Sequence, residues 1–138
     1  MLKRIFFVIF TAAVLACHAD PKPQPIVEGV TNVMPDEQQK LVIKEVVNLI
    51  ESYNYKKIQI NDSISSLILD KYIKSLDQGK NYFLASDIKE FEKYRTTLDD
   101  DFKNGDLSGP FYIYNVYAKR LNEYFKYSLA QIKSKFDF

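Results

Sequence analysis

The sequence predicts an all-α fold, with about four helices in an irregular bundle and a long C-terminal helix. Three observations lead there. Apolar residues recur at helical spacing, as at Ile64, Leu67, Ile68, Tyr72, Ile73 and Leu76. A stripe of Phe111, Tyr114, Tyr117, Leu121, Tyr124, Phe125, Ser128, Leu129 and Ile132 continues that period within a segment of roughly 39 Å at 1.5 Å per residue. Start and stop residues punctuate the pattern: Asn61 or Asp62, Ser86, Gly105 and Pro110. At 138 residues and 46% hydrophobic side chains, the chain holds one domain with a modest core.

Lys3 and Arg4 precede an apolar run over 5–16, too short for an ordinary transmembrane helix but suited to a secretory signal. The only cysteine, Cys17, ends Val14-Leu15-Ala16-Cys17, which resembles a lipoprotein lipobox, Leu15 being an imperfect fit. The alternative is cleavage after Ala19, which leaves no cysteine. Lipidation is favoured, because a lone thiol in an oxidising compartment has little structural use. The expectation is a signal peptide over 1–17 and an exported protein held in the bacterial periplasm or cell envelope by a lipid anchor, with His18 compatible with outer-membrane sorting.

Residues 18–35 hold Pro21, Pro23, Pro25, Gly29 and Pro35 and read as a linker between anchor and domain. A first helix is predicted over 36–53, with Asp36 and Glu37 in its first turn and Leu41, Ile43, Val46, Val47 and Ile50 as a broad apolar face. Residues 54–60 lack helical periodicity and read as an extended connector. A second helix follows, capped by Asn61 or Asp62 and ending near Leu76, where Gly79 is expected to supply a left-handed closing residue. After an aromatic elbow, Tyr82-Phe83-Leu84, Ser86 is the expected N-cap of a third helix reaching Asn104. Its expected inner face is Ile88, Phe91, Arg95, Leu98 and Phe102. Gly105 ends it, and Pro110 opens a fourth helix running to about Lys135.

Composition removes several function classes. Without Lys3 and Arg4, 17 of the 19 basic side chains remain against 18 acidic ones, so generic nucleic-acid binding is disfavoured. His18, the single histidine, lies in the signal or linker region and cannot serve as a base in a structured pocket. No cofactor-binding, zinc-binding or nucleotide-binding motif is visible. Ser86-Asp87-Ile88-Lys89 matches the S-x-x-K pattern of penicillin-recognising enzymes, but without its companion elements it reads as a helix cap. The stretch from Asp99, Asp100 and Asp101 to Gly105 fails the calcium-loop register, since Phe102 and Phe111 fall where oxygen ligands belong. Three carboxylates at the end of a helix oppose its dipole, and the sequence alone offers no reason for them. Asp62-Ser63-Ile64 resembles a short O-glycosylation sequon of exported bacterial proteins, with a helix cap as the plain alternative.

The run LDQGKNYFLASDIKEFEKYRTTLDDDFKNGDLS over 76–108, with IYNVYAKRLNEYFKYSLAQI after it, resembles the N-terminal domain of bacterial tail-specific (carboxy-terminal processing) proteases. The resemblance extends over about 36–138. That family is one of exported serine endopeptidases in which a helical N-terminal domain precedes a PDZ domain and a Ser-Lys catalytic domain. It implies a non-catalytic accessory domain, expected here as a truncated or split product, that supports the protease scaffold, encloses substrate or receives an adaptor. Neither catalytic residue is transferred to Ser86 or Lys89, so no catalytic residue is expected in this chain. The implied partners are the PDZ and catalytic regions or an adaptor protein. Lys119, Arg120, Tyr124 and Tyr127 on the long helix are the expected docking residues. The alternative is a free-standing envelope lipoprotein that uses the same bundle as a protein-binding module.

Overall fold

A computed structural model describes residues 26–56 and 58–133. Among these the fold is all-α, built from α1 (Glu37–Tyr53), α2 (Asp62–Leu76), α3 (Ala85–Phe91), a 3₁₀ turn (Glu92–Tyr94), α4 (Leu98–Asn104) and α5 (Ser108–Lys133). The expected signal peptide, Cys17 and His18 lie outside the described residues.

Local chemistry sets most helix ends. Asp36 accepts the Gln39 N–H at 2.6 Å while the Gln39 side chain accepts the Asp36 N–H at 3.0 Å, a reciprocal capping box that starts α1. Asn61 is the cap of α2 and accepts the Ser63 and Ile64 N–H groups. Gly105 closes α4 at φ +76°, and a β-carbon there would lie 2.8 Å from the Lys40 carbonyl oxygen. Both that backbone shape and that closeness call for glycine.

Two local expectations fail. The left-handed residue after α2 is Lys80, at φ +54°, not Gly79. Ser86 is not a cap either, because α3 begins one residue before it and Leu84 occupies the cap position.

The largest departure lies in the expected third helix, which is interrupted. After α3 the chain tightens into the 3₁₀ turn, with the Arg95 N–H on the Glu92 carbonyl and the Thr97 N–H on the Tyr94 carbonyl. A new helix starts at Leu98. Ser65, wholly buried on α2, stitches this break: its hydroxyl oxygen accepts the Leu98 N–H at 3.1 Å and its O–H points to the Tyr94 carbonyl at 3.5 Å. Arg95 binds the same region to α2, donating to Ser66 at 2.7 Å and to Asp70 at 3.1 Å while pairing with Glu92. The break resolves the acidic cluster. Asp99, Asp100 and Asp101 stand in the first turn of α4, at the positive end of its dipole.

The core is made by Val47 of α1, Leu69 of α2, Phe91 of α3, Leu98 and Phe102 of α4, and Ile113 and Val116 of α5, joined by Val27 and Ile60. α4 packs against both α1 and α2, and α5 packs against α2. The buried faces differ from the expected ones in three helices. On α1, Leu41 and Val46 are exposed and Val47 is the buried residue. On α2 the buried positions are Ser65 and Leu69, while Leu67 is 48% exposed. On α5 the buried set is Gly109, Ile113, Asn115 and Val116, so the expected stripe is displaced around the helix. Residues 54–60 contain no strand among the described positions.

Residues 26–35 are irregular, as their composition predicts, yet the segment is fastened. Asn115, 1% exposed on α5, accepts the Val33 N–H at 2.9 Å and donates to the Val33 carbonyl at 3.0 Å. Val27 is buried against the core.

Replacing Ser65 by alanine leaves the buried Leu98 N–H without its acceptor, a loss of about 1–3 kcal/mol. Urea unfolding should show a lower midpoint at unchanged slope for Ser65→Ala; an unchanged midpoint would show that the stitch contributes nothing.

Candidate functional site

The aromatic elbow, with the two helices it joins and α5 beneath it, forms the part of the domain with the most specific geometry. Asp77 follows the last turn of α2 and is 6% exposed. Its carboxylate accepts the N–H groups of Asn81 at 2.8 Å and of Tyr82 and Phe83 at 2.9 Å. A buried acid thus organises the reversal that sequence reading assigned to Gly79. Burial alone pushes this carboxyl up, but the N–H groups of Phe83, Tyr82, Asn81 and Lys80 prevail and hold it below its ordinary value.

Asp87 is the second acid of the elbow. Its Oδ2 accepts the Leu84 N–H at 2.9 Å, which ties the residue before α3 to the helix's first turn, the leucine at the cap position having no side-chain acceptor of its own. The same carboxylate takes two bonds from Arg120 on α5, Nε to Oδ2 and Nη2 to Oδ1, each 2.8 Å. Burial pushes the Asp87 carboxyl up, while Arg120, the Leu84 N–H and the nearby Lys119 charge outweigh it and hold it low. The acid also raises the affinity of Arg120 for its proton, so the pair is ionised at neutral pH. A two-point guanidinium–carboxylate bond fixes the angle of α5 as well as its distance.

About two turns earlier on α5, the Tyr112 hydroxyl donates to Glu90 of α3 at 2.6 Å. Lys93 stands over the rings of Tyr94 and Tyr112, 5.0 and 4.8 Å from their centroids. Tyr82 of the elbow meets Tyr117 and Tyr124, one turn to either side of Arg120, edge-on, with centroids 5.7 and 5.4 Å away. The contact face of α5 therefore runs through Tyr112, Val116, Tyr117 and Arg120.

Beyond Tyr124 the environment changes. Phe125, Tyr127, Leu129 and Ile132 are exposed, Ile132 at 77%. Of the expected docking residues, Tyr127 lies on this bare half, while Tyr124 stands at its boundary, one edge against Tyr82 and the rest exposed. Lys119 is half-buried beside Asp87, and Arg120 is engaged inside the fold by Asp87 and by Glu123 at 2.8 Å. Arg120 is therefore a structural anchor in this fold.

Ser86 and Lys89 are both exposed on α3, with no hydrogen bond joining them among the described residues. Asp62-Ser63-Ile64 forms the first turn of α2, with Ser63 exposed. Asp99 is buried, and its Oδ1 has no hydrogen-bond partner among the described residues. No group of three or more potential metal ligands occurs among the described residues, and no helix among them is long and apolar enough to cross a membrane.

The depressed Asp77 and Asp87 carboxyls contribute stability that is fully present above their unfolded value of about 3.9 and is lost as pH falls through the lower folded values. Melting temperature should hold from neutral pH to about 5 and decline below about 4, with a shallower decline in Asp77→Asn and Asp87→Asn. Arg120→Met strands the Asp87 carboxylate and should cost about 3 kcal/mol in chemical denaturation. The double variant Asp87→Asn/Arg120→Met should lose less than the two single losses combined; strict additivity would deny the coupling.

Two comparisons bear on these features. The sequence profile of the tail specific protease N-terminal domain matches residues 46–138, which takes in the C-terminal part of α1 and every later helix. The chain is also similar to the tail-specific protease of Haemophilus influenzae, with 40% identity over 102 residues. That alignment covers 73% of this chain but only 15% of the relative. The profile match includes the elbow, its two acids and the long helix that they orient. The chain therefore belongs to the tail-specific protease N-terminal domain family.

Proposed function

We propose that this chain acts as a non-catalytic accessory domain of an exported tail-specific protease, presenting the outer half of α5 to the polypeptide that carries the PDZ and catalytic regions. The bare half of α5 carries this reading. Its first half is held by the elbow as far as Tyr124, while Phe125, Tyr127, Leu129 and Ile132 continue the same helix with their apolar surface exposed. Contiguous exposed aromatic and aliphatic groups mark interaction surfaces. The aligned segment is only 15% of the relative, so in that protein the matching domain is accompanied by a much longer polypeptide.

In this role the domain contributes position rather than bond cleavage. The buried Asp87–Arg120 pair sets the direction in which α5 leaves the body, so the apolar half is offered in one orientation. Anchoring through Cys17 in the envelope would place that surface beside exported substrates whose C-terminal tails are processed. An adaptor protein is the other occupant of the same surface within this reading.

The test uses the purified chain and, separately, a PDZ–catalytic polypeptide of the family. The chain alone should leave an unstructured, apolar-tailed protein intact and should bind the catalytic polypeptide. Phe125→Glu with Tyr127→Glu should weaken that binding at least roughly tenfold, as expected for placing charges on interface anchors. Cleavage by the chain alone, or binding indifferent to the two glutamates, would refute the proposal.

A further inference from the structure

We infer that Ser63 is an O-glycosylation site, a hydroxyl that receives a sugar chain from a diphosphate-activated glycan donor once the chain is exported. The inference rests on the export proposed above and on no residue of α5.

Asp62-Ser63-Ile64 has two readings, a glycosylation sequon and a helix cap. The structure gives the cap to another residue. Asn61 accepts the Ser63 and Ile64 N–H groups on its own side-chain oxygen, at 3.1 and 3.2 Å. Ser63 enters that cap only through its backbone, so a substituent on Oγ leaves the start of α2 intact. Neither the Asp62 carboxylate nor the Ser63 hydroxyl has a hydrogen-bond or ion-pair partner among the described residues. By contrast, the hydroxyls of Ser52, Ser65, Ser66 and Ser75 are each engaged by a neighbour. Asp62 gains from the positive end of the dipole, but the Ser63 hydroxyl gains nothing locally, and alanine there would favour the helix.

The surroundings suit a sugar. Ser63 is exposed, and one turn further along α2 stands Leu67, 48% exposed. Side chains at i and i+4 share a face, and those of a helix lean toward its N-terminus, so Leu67 leans toward Ser63. A sugar ring carries C–H groups on its face and hydroxyls around its rim. Attached to Ser63, it lays the face over Leu67 and keeps the rim in water, covering an apolar side chain that the bundle leaves bare.

The tripeptide supplies recognition as well as the nucleophile, with a carboxylate before the serine and an aliphatic group after it. Ile64 is half-buried in the folded domain, so the transferase meets it before the first turn of α2 closes. In the transfer, Ser63 Oγ attacks the anomeric carbon of the donor and forms the glycosidic bond. The bond from that carbon to the diphosphate oxygen breaks, the diphosphate leaves with the electron pair, and the hydroxyl proton passes to a base of the transferase.

The test takes the full chain from the bacterium that encodes it and measures its intact mass and its proteolytic peptides. The peptide holding Ser63 should carry a mass increase of whole sugar units. Ser63→Ala and Asp62→Ala should each lose it completely, and both should stay folded by circular dichroism, since neither side chain bonds to the rest of the domain. A chain without the sugar, or sugar that persists in either alanine variant, would overturn the assignment. The N-terminal peptide of the same sample reports whether residues 1–17 have been removed. A processed but unmodified chain would therefore overturn this site while leaving the export reading in place.

Discussion

Most of this architecture depends on one buried hydroxyl. Ser65 sits where α2 faces the interruption between Tyr94 and Leu98, and it takes up backbone groups that a continuous helix would have satisfied internally. Without an acceptor at that point the break would expose a buried N–H, and a straight helix from 85 to 104 would be the cheaper course for the backbone. With the break, α4 turns away from the line of α3 and packs between α1 and α2. Leu98 and Phe102 then enter the core beside Val47 and Leu69.

The same break decides how the local charges are read. On an uninterrupted helix, Asp99, Asp100 and Asp101 would crowd the negative end of the dipole. At the start of a new helix they meet its positive end. Asp99 then lies buried, with Lys103 3.9 Å away on the next turn and donating to the Ile60 carbonyl at 2.6 Å. That lysine ties the connector between α1 and α2 to α4, so the acidic cluster serves the closing of the bundle.

The all-α class and the outer ends of most helices were legible because they follow from spacing and from short-range chemistry at Asp36, Asn61 and Gly105, whereas the break that divides the expected third helix was not. The residues that position the elbow and α5 were less legible, for a physical reason. Asp77, Asp87, Ser65 and Asn115 are polar and buried, and their roles come from partners remote in sequence or in a neighbouring turn. Hydrophobic periodicity treats such residues as solvent-facing, which rotates the inferred inner face. Leu67 and Val46 look as apolar as Leu69 and Val47, and only packing separates them. One signal was available at the break: Thr96 and Thr97 are adjacent β-branched residues beside an arginine on the supposed apolar face, a local conflict within the helical pattern.

The elbow shows how two acids convert a loop into a rigid part. Asp77 holds the backbone from Asn81 to Phe83, and Asp87 holds Leu84, so successive amides of the reversal are bound to carboxylates on the two flanking helices. Asp87 then passes that rigidity to α5 through Arg120, while Tyr82 braces the helix at Tyr117 and Tyr124. Arg120 lies near the middle of α5, between a half that is packed and a half that is bare. A helix held at its midpoint by a two-point ionic bond projects its free half in a set direction. An exposed apolar surface on a loosely attached helix would be an aggregation hazard; on this one it has a defined position, which is the property a docking surface requires.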